Sequence, residues 1–195
     1  QLRHTVKRII GNDRIEAVEA ALVDENWNYV PGSEEIIPCD TLLLSVGLIP
    51  ENELSQKAGV DLDPITGGPF VDDGFQTNVP GIFAAGNVVH VYDLVDWVTQ
   101  AGLVAGREAA RFAQGRRPTA GRLVSTAAGE HVRYVVPQRV DPEQLTTHDV
   151  ALQFRVTQPI EERVRLRVHD GETLITRKTA RYARPGEMLE IKLRG

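Results

Sequence analysis

Residues 77–87, TNVPGIFAAGN, constrain this chain more than any other stretch. A polar threonine leads into a Val79-Pro80-Gly81 turn. A short apolar run follows, Ile82-Phe83-Ala84-Ala85, and stops at Gly86-Asn87. Such a run reads as a buried strand. The glycine at its end lets backbone approach a ligand, and the short polar side chain beside it can hydrogen-bond that ligand. Open α/β sheets bind cofactors at the carboxyl ends of their strands.

The segments upstream fit a sheet protein. Residues 4–10 and 15–23 flank Gly11-Asn12-Asp13, which is turn chemistry, and a third strand covers residues 35–37. Together they predict an antiparallel meander. Residues 39–47 (CDTLLLSVG) hold a continuous apolar core and predict a strand buried on both faces. After Gly47-Leu48-Ile49-Pro50, a short helix is expected over residues 51–57, ending at Gly59. Downstream of the opening motif, a helix is predicted over residues 94–114. Its small residues Ala101, Gly102, Ala105, Gly106, Ala109 and Ala110 suit close packing against a sheet or a ligand.

Beyond Pro118 the pattern changes to short alternating strands, over residues 132–136, 149–156, 163–169, 173–182 and 187–193. Asp170-Gly171 and Pro185-Gly186 mark turns. This part predicts a small all-β sandwich-like domain. Charge follows the same division. Residues 1–118 carry 9 basic and 17 acidic side chains, net −8, and residues 119–195 carry 13 and 10, net +3, giving −5 for the chain. Arg163, Arg165 and Arg167 alternate, which places them on one solvated sheet face. No aromatic residues interleave with them, so nucleic-acid binding is not expected.

Of the 195 residues 42% are hydrophobic, yet no apolar run approaches the roughly 20 residues of a membrane span. The single cysteine, Cys39, excludes an internal disulfide and a CxxC redox pair. It suits a reducing, cytoplasmic setting. The chain opens on Gln1 and its one methionine is Met188, so a fragment or processed form of a longer protein is expected.

The order of meander, apolar run ending in Gly-x-x-Pro, TNVPGIFAAGN and small-residue helix resembles the pyridine nucleotide–disulfide oxidoreductase superfamily over residues 1 to about 115. His90-Val91-Tyr92-Asp93-Leu94-Val95-Asp96, Tyr134-Val135-Val136-Pro137-Gln138 and Pro185-Gly186-Glu187-Met188 resemble a narrower branch. That branch comprises NAD(FAD)-dependent dehydrogenases associated with glycerol-3-phosphate dehydrogenase-like partners and opine oxidases. The resemblance implies a partial FAD/NAD(P)-binding α/β fold in three parts. Residues 1–47 end an inserted NAD(P)-binding domain, residues 48–118 belong to the FAD-binding domain, and residues 119–195 form the all-β accessory domain.

The resemblance further implies FAD and NAD or NADP as cofactors of the parent protein, with hydride passing between NAD(P)H or a small reduced substrate and FAD. Gly86, Asn87, Val88, Asp96, Trp97 and Val98 would then be cofactor-binding, with the Val98 N–H at a helix start facing the flavin. Asn87 departs from the family's usual aspartate, but an amide both accepts and donates. His90 is the candidate proton carrier, Asp93 and Asp96 are candidate helix caps, and no metal site is expected. Neither glycine fingerprint of the family occurs, so the chain alone is expected to hold FAD weakly or not at all. A partner redox subunit or a homodimer is the expected assembly. In the alternative reading, residues 119–195 act as a module that docks a partner redox subunit through the arginine face.

Overall fold

The computed structural model describes residues 3–45, 47–116, 122–146 and 148–194. The chain divides into two compact units, Gln1–Gly47 and Leu48–Gly195.

The first unit is the antiparallel meander. Strands β1 (His4–Ile10), β2 (Ala17–Leu22) and β3 (Glu35–Pro38) lie in that order, with Ile9 opposite Val18 and Val18 opposite Ile37. The central strand buries Ala17, Val18, Ala20 and Ala21, while β3 is exposed throughout. Residues 41–45 correct the expectation of a doubly buried strand. They join no ladder, and Leu43 is 89% exposed. A parallel strand is stable only between neighbours that complete its hydrogen bonds, and the described residues supply none.

The second unit begins with the short helix α1 (Glu53–Lys57) and carries the long helix α2 (Val95–Ala113). The expected strand at 82–85 is reduced to one antiparallel bridge, Phe83 to Gln76. Along α2 only part of the small-residue stripe packs. Ala101 and Ala105 are buried, whereas an added Cβ at Gly102 or Gly106 would meet nothing within 4 Å.

The β-rich part matches the sequence pattern closely. Strands β4 (Val124–Ser125) and β6 (Arg139–Val140) pair with each other. Strands β5 (Val132–Val136), β7 (Val150–Val156) and β10 (Leu189–Leu193) form a sheet in the order β10-β7-β5. Strands β8 (Val164–Asp170) and β9 (Thr173–Ala180) make the hairpin that Asp170-Gly171 turns. Its arginines 165 and 167 are exposed and alternate with the half-buried Val164, Leu166 and Val168. Leu166 and Val168 cover a core of Val140, Val150, Leu152, Phe154, Ile191 and Leu193.

This β-rich part shares its interior with α2 and the residues before it. Val71, Ala84 and Val89 form one cluster with Tyr134 and Val136. Tyr92 and Ala101 form another with Met188. The buried Gln138 side chain accepts from the Val71 N–H and donates to Asp63, both at 3.1 Å. A boundary near Pro118 falls outside the described residues.

Candidate functional site

The candidate site is built from a tight turn and the helix that follows it. Gly86 opens a 3-10 turn, Gly86–Val88, at φ +77°, a conformation that favours glycine. A Cβ there would lie 3.3 Å from Val98 Cγ1, so the turn rests on the first turn of α2. Beneath it, the buried Asn52 donates to Val88 O at 2.8 Å and to Gly67 O at 3.0 Å. Gly68 is fixed by a tighter approach, because a Cβ would sit 1.8 Å from Val89 O. The 63–69 turn is therefore a platform for residues 86–89.

Asn87 is exposed. Its Oδ1 accepts from the Tyr92 N–H at 3.1 Å, which sets the amide's orientation. The Nδ2 donors make no hydrogen bond among the described residues. Val88 is half-buried, Asp96 is exposed, and Trp97 and Val98 are half-buried against Tyr92, Ala101 and Met188.

The helix start corrects the capping expectation. Leu94 occupies the cap position, and no side chain caps the first turn. Asp93 is used elsewhere. Arg155 of β7 donates to its Oδ1, and the Met188 N–H donates to its Oδ2 at 2.5 Å. Asp96 stands in the first turn, where a carboxylate interacts favourably with the helix dipole.

His90 lies in the interior, 1% exposed. Its Nδ1 is 3.4 Å from the Tyr134 hydroxyl, and the rings of Tyr92 and Tyr134 meet it edge-on at centroid distances of 4.3 and 5.7 Å. Burial pushes the imidazole down to about 4, and the Arg155 charge adds to the shift. The ring is therefore held neutral and enclosed. The structure thus places Gly86, Asn87, Val88, Asp96, Trp97 and Val98 around one turn-and-helix corner and sets His90 behind it.

Sequence reasoning missed Asn52, Gly68 and Arg155 as parts of this corner. A signal existed for Arg155, the one charged residue in the strand VALQFRV. None existed for Gly68, whose need for glycine comes from a residue 21 positions away.

Residues 1–128 match the family model of pyridine nucleotide-disulphide oxidoreductases. A thioredoxin reductase of Listeria monocytogenes is 38% identical over 84 residues, 43% of this chain and 24% of that protein. The glutamate synthase [NADPH] small chain of Escherichia coli is 41% identical over 85 residues, 42% of this chain and 17% of that protein. The mitochondrial dihydrolipoyl dehydrogenase of Mesocricetus auratus is 40% identical over 70 residues, 34% of this chain and 14% of that protein. The chain thus spans a quarter or less of each of these curated relatives. Proteins of this family use FAD and NAD(P)H. The narrower branch resembled by residues 90–96 is not shown by these matches.

Proposed function

The chain belongs to the pyridine nucleotide-disulphide oxidoreductase family, and from that premise we propose that it supplies the carboxy-terminal wall of a flavin site. The intact protein then passes hydride between NAD(P)H, or a small reduced substrate, and FAD. FAD, when bound, supplies the electron chemistry, and the protein supplies position and electrostatics. The finer assignment, to the dehydrogenase branch associated with opine oxidases, rests on residues 90–96, 134–138 and 185–188 alone.

One observation carries this reading. The exposed Asn87 amide has its acceptor engaged by the Tyr92 N–H and, among the described residues, its donors unengaged, on a turn packed against the uncapped start of α2. Backbone N–H groups at such a helix start attract anionic groups. A dinucleotide brings both the anionic oxygens and the hydroxyls that these donors fit. Gly86 keeps the turn close to the helix, Val88 anchors it to Asn52, and the Val98 side chain and Trp97 line the helix side, the Val98 N–H itself being the first to make an α-helical hydrogen bond. Asn87 donates where the family's usual aspartate accepts, which also spares the pyrophosphate a neighbouring negative charge. Residues 1–47 stand as the end of the inserted NAD(P)-binding domain in this reading. Residues 48–118 stand as FAD-binding domain, and residues 119–195 as its accessory part.

Titration of FAD into the intact protein, followed by flavin fluorescence, tests the reading. Asn87→Ala is expected to weaken binding by roughly tenfold, the scale of one lost hydrogen bond to a charged group. Equal affinity in the two proteins, or no binding by either, would remove the proposal.

A further inference from the structure

One guanidinium ties the β-rich part to the candidate site. Arg155 Nε donates to the Tyr134 hydroxyl at 3.1 Å, and Nη1 donates to Pro185 O at 3.3 Å. Nη2 donates to Val91 O at 3.0 Å and to the Asp93 carboxylate. The second oxygen of Asp93 accepts from the Met188 N–H, and the Met188 side chain packs in the cluster that supports Trp97 and Val98. Strand β7 and the 185–188 turn therefore grip residues 91–93 from two sides, immediately before the helix starts at Val95. Helix α2 has no side-chain cap of its own, so its entry is fixed by this grip and by packing. Charge-assisted, fork-shaped donors hold a defined direction better than a point charge does.

We infer that Arg155 is the positioning residue of this site. Through Asp93 and Val91 it fixes the direction in which the start of α2 presents the N–H groups of Val95 and Asp96, since the Trp97 N–H already donates to Leu94 O at 3.2 Å. On the flavin reading, which this inference rests on and deepens, those groups face the cofactor, and the β-rich part is a brace for the flavin wall. The assignment gives Asp93, Arg155 and Met188 one common task, although 62 and 95 residues separate the two contacts to Asp93.

The test compares wild type, Arg155→Met, Arg155→Lys and the isosteric Asp93→Asn in the intact protein. Amide hydrogen exchange at residues 97–99, without flavin, reads the helix start directly. The expected result is exchange about tenfold faster in Arg155→Met and Asp93→Asn, with the amides of residues 105–112 unchanged. FAD affinity is expected to fall by about tenfold in the same variants, with Arg155→Lys intermediate. Unchanged exchange at residues 97–99 in both variants overturns the inference. So does faster exchange with undiminished FAD affinity. If Arg155→Met does not fold, Asp93→Asn decides alone. A wild-type protein that binds no FAD defeats the functional reading instead, while the exchange comparison still settles whether Arg155 positions the helix.

Discussion

Two buried titratable residues give this protein opposing pH responses. Burial pushes the Asp73 carboxyl up from 3.8 to about 6, and the Asp72 charge adds to the rise. Its Oδ1 accepts from the Asp141 N–H at 3.3 Å, and His148 Nε2 stands 3.8 Å from Oδ2. Between pH 3.8 and about 6 the folded state holds this proton more tightly than the unfolded state does. Stability contributed by Asp73 is thus present at low pH and lost as pH rises through that window. His90 runs the other way. Its pKa falls from 6.5 to about 4, so its contribution is present above pH 6.5 and lost as pH falls toward 4. Asp73→Asn keeps the acceptor for Asp141 and removes the charge. It should be more stable than wild type above pH 6, and the gain should vanish below about pH 4. Removing the opposing response should also steepen the acid-side loss that remains from His90. Melting temperatures of both proteins from pH 4 to 8 check this. A gain independent of pH would show that Asp73 is not the residue responsible.

At the level of elements, two contacts decide how well the scaffold holds. The 63–69 turn carries residues 86–89, and Gly68 is the point of nearest approach, with no side chain admitted against Val89 O. Gly68→Ala should cost about 3 kcal/mol or more, since the obstruction is backbone. A urea midpoint equal to wild type would refute the platform. On the β8–β9 hairpin, Arg167 and Arg177 stand directly opposite each other and both are exposed. Like charges in register repel, so Arg177→Thr should stabilise the protein by roughly 0.5 kcal/mol, with the gain shrinking in high salt. An unchanged or lowered melting temperature at low salt would count against it. The hairpin was legible in the sequence because alternation and an Asp-Gly turn are local signals. The meander was legible for the same reason. Residues 41–45 were misread because a doubly buried strand is defined by neighbours, and hydropathy reports only the side chains. The helix entry was misread because Asp93 looks like a cap in sequence, and its real partners, Arg155 and Met188, are distant along the chain.

At the scale of the whole molecule, residues 43–49 include several exposed large apolar side chains. Leu43, Leu44, Leu48 and Ile49 are all exposed, Ile49 by 89%. Exposed large apolar side chains so close along the chain mark a surface that another element covers. In the proposed architecture that element belongs to the remainder of the NAD(P)-binding domain for Leu43 and Leu44 and of the FAD-binding domain for Leu48 and Ile49. Leu43→Glu with Ile49→Glu is therefore expected to raise the solubility of this chain alone and to abolish FAD retention by the intact protein. Normal FAD retention in that variant would show that Leu43 and Ile49 are not covered in the intact protein. At this scale the sequence was legible in its motif order but silent on the brace, which exists only once β7 meets residues 91–93. The central claim is that the turn Gly86–Val88 and the start of α2 face a flavin nucleotide. Its most direct test is the hydrogen-exchange footprint of FAD on the intact protein. The account predicts protection over residues 86–88 and 95–98, with the β8–β9 hairpin unchanged. Protection elsewhere in this chain with none at those residues would contradict it.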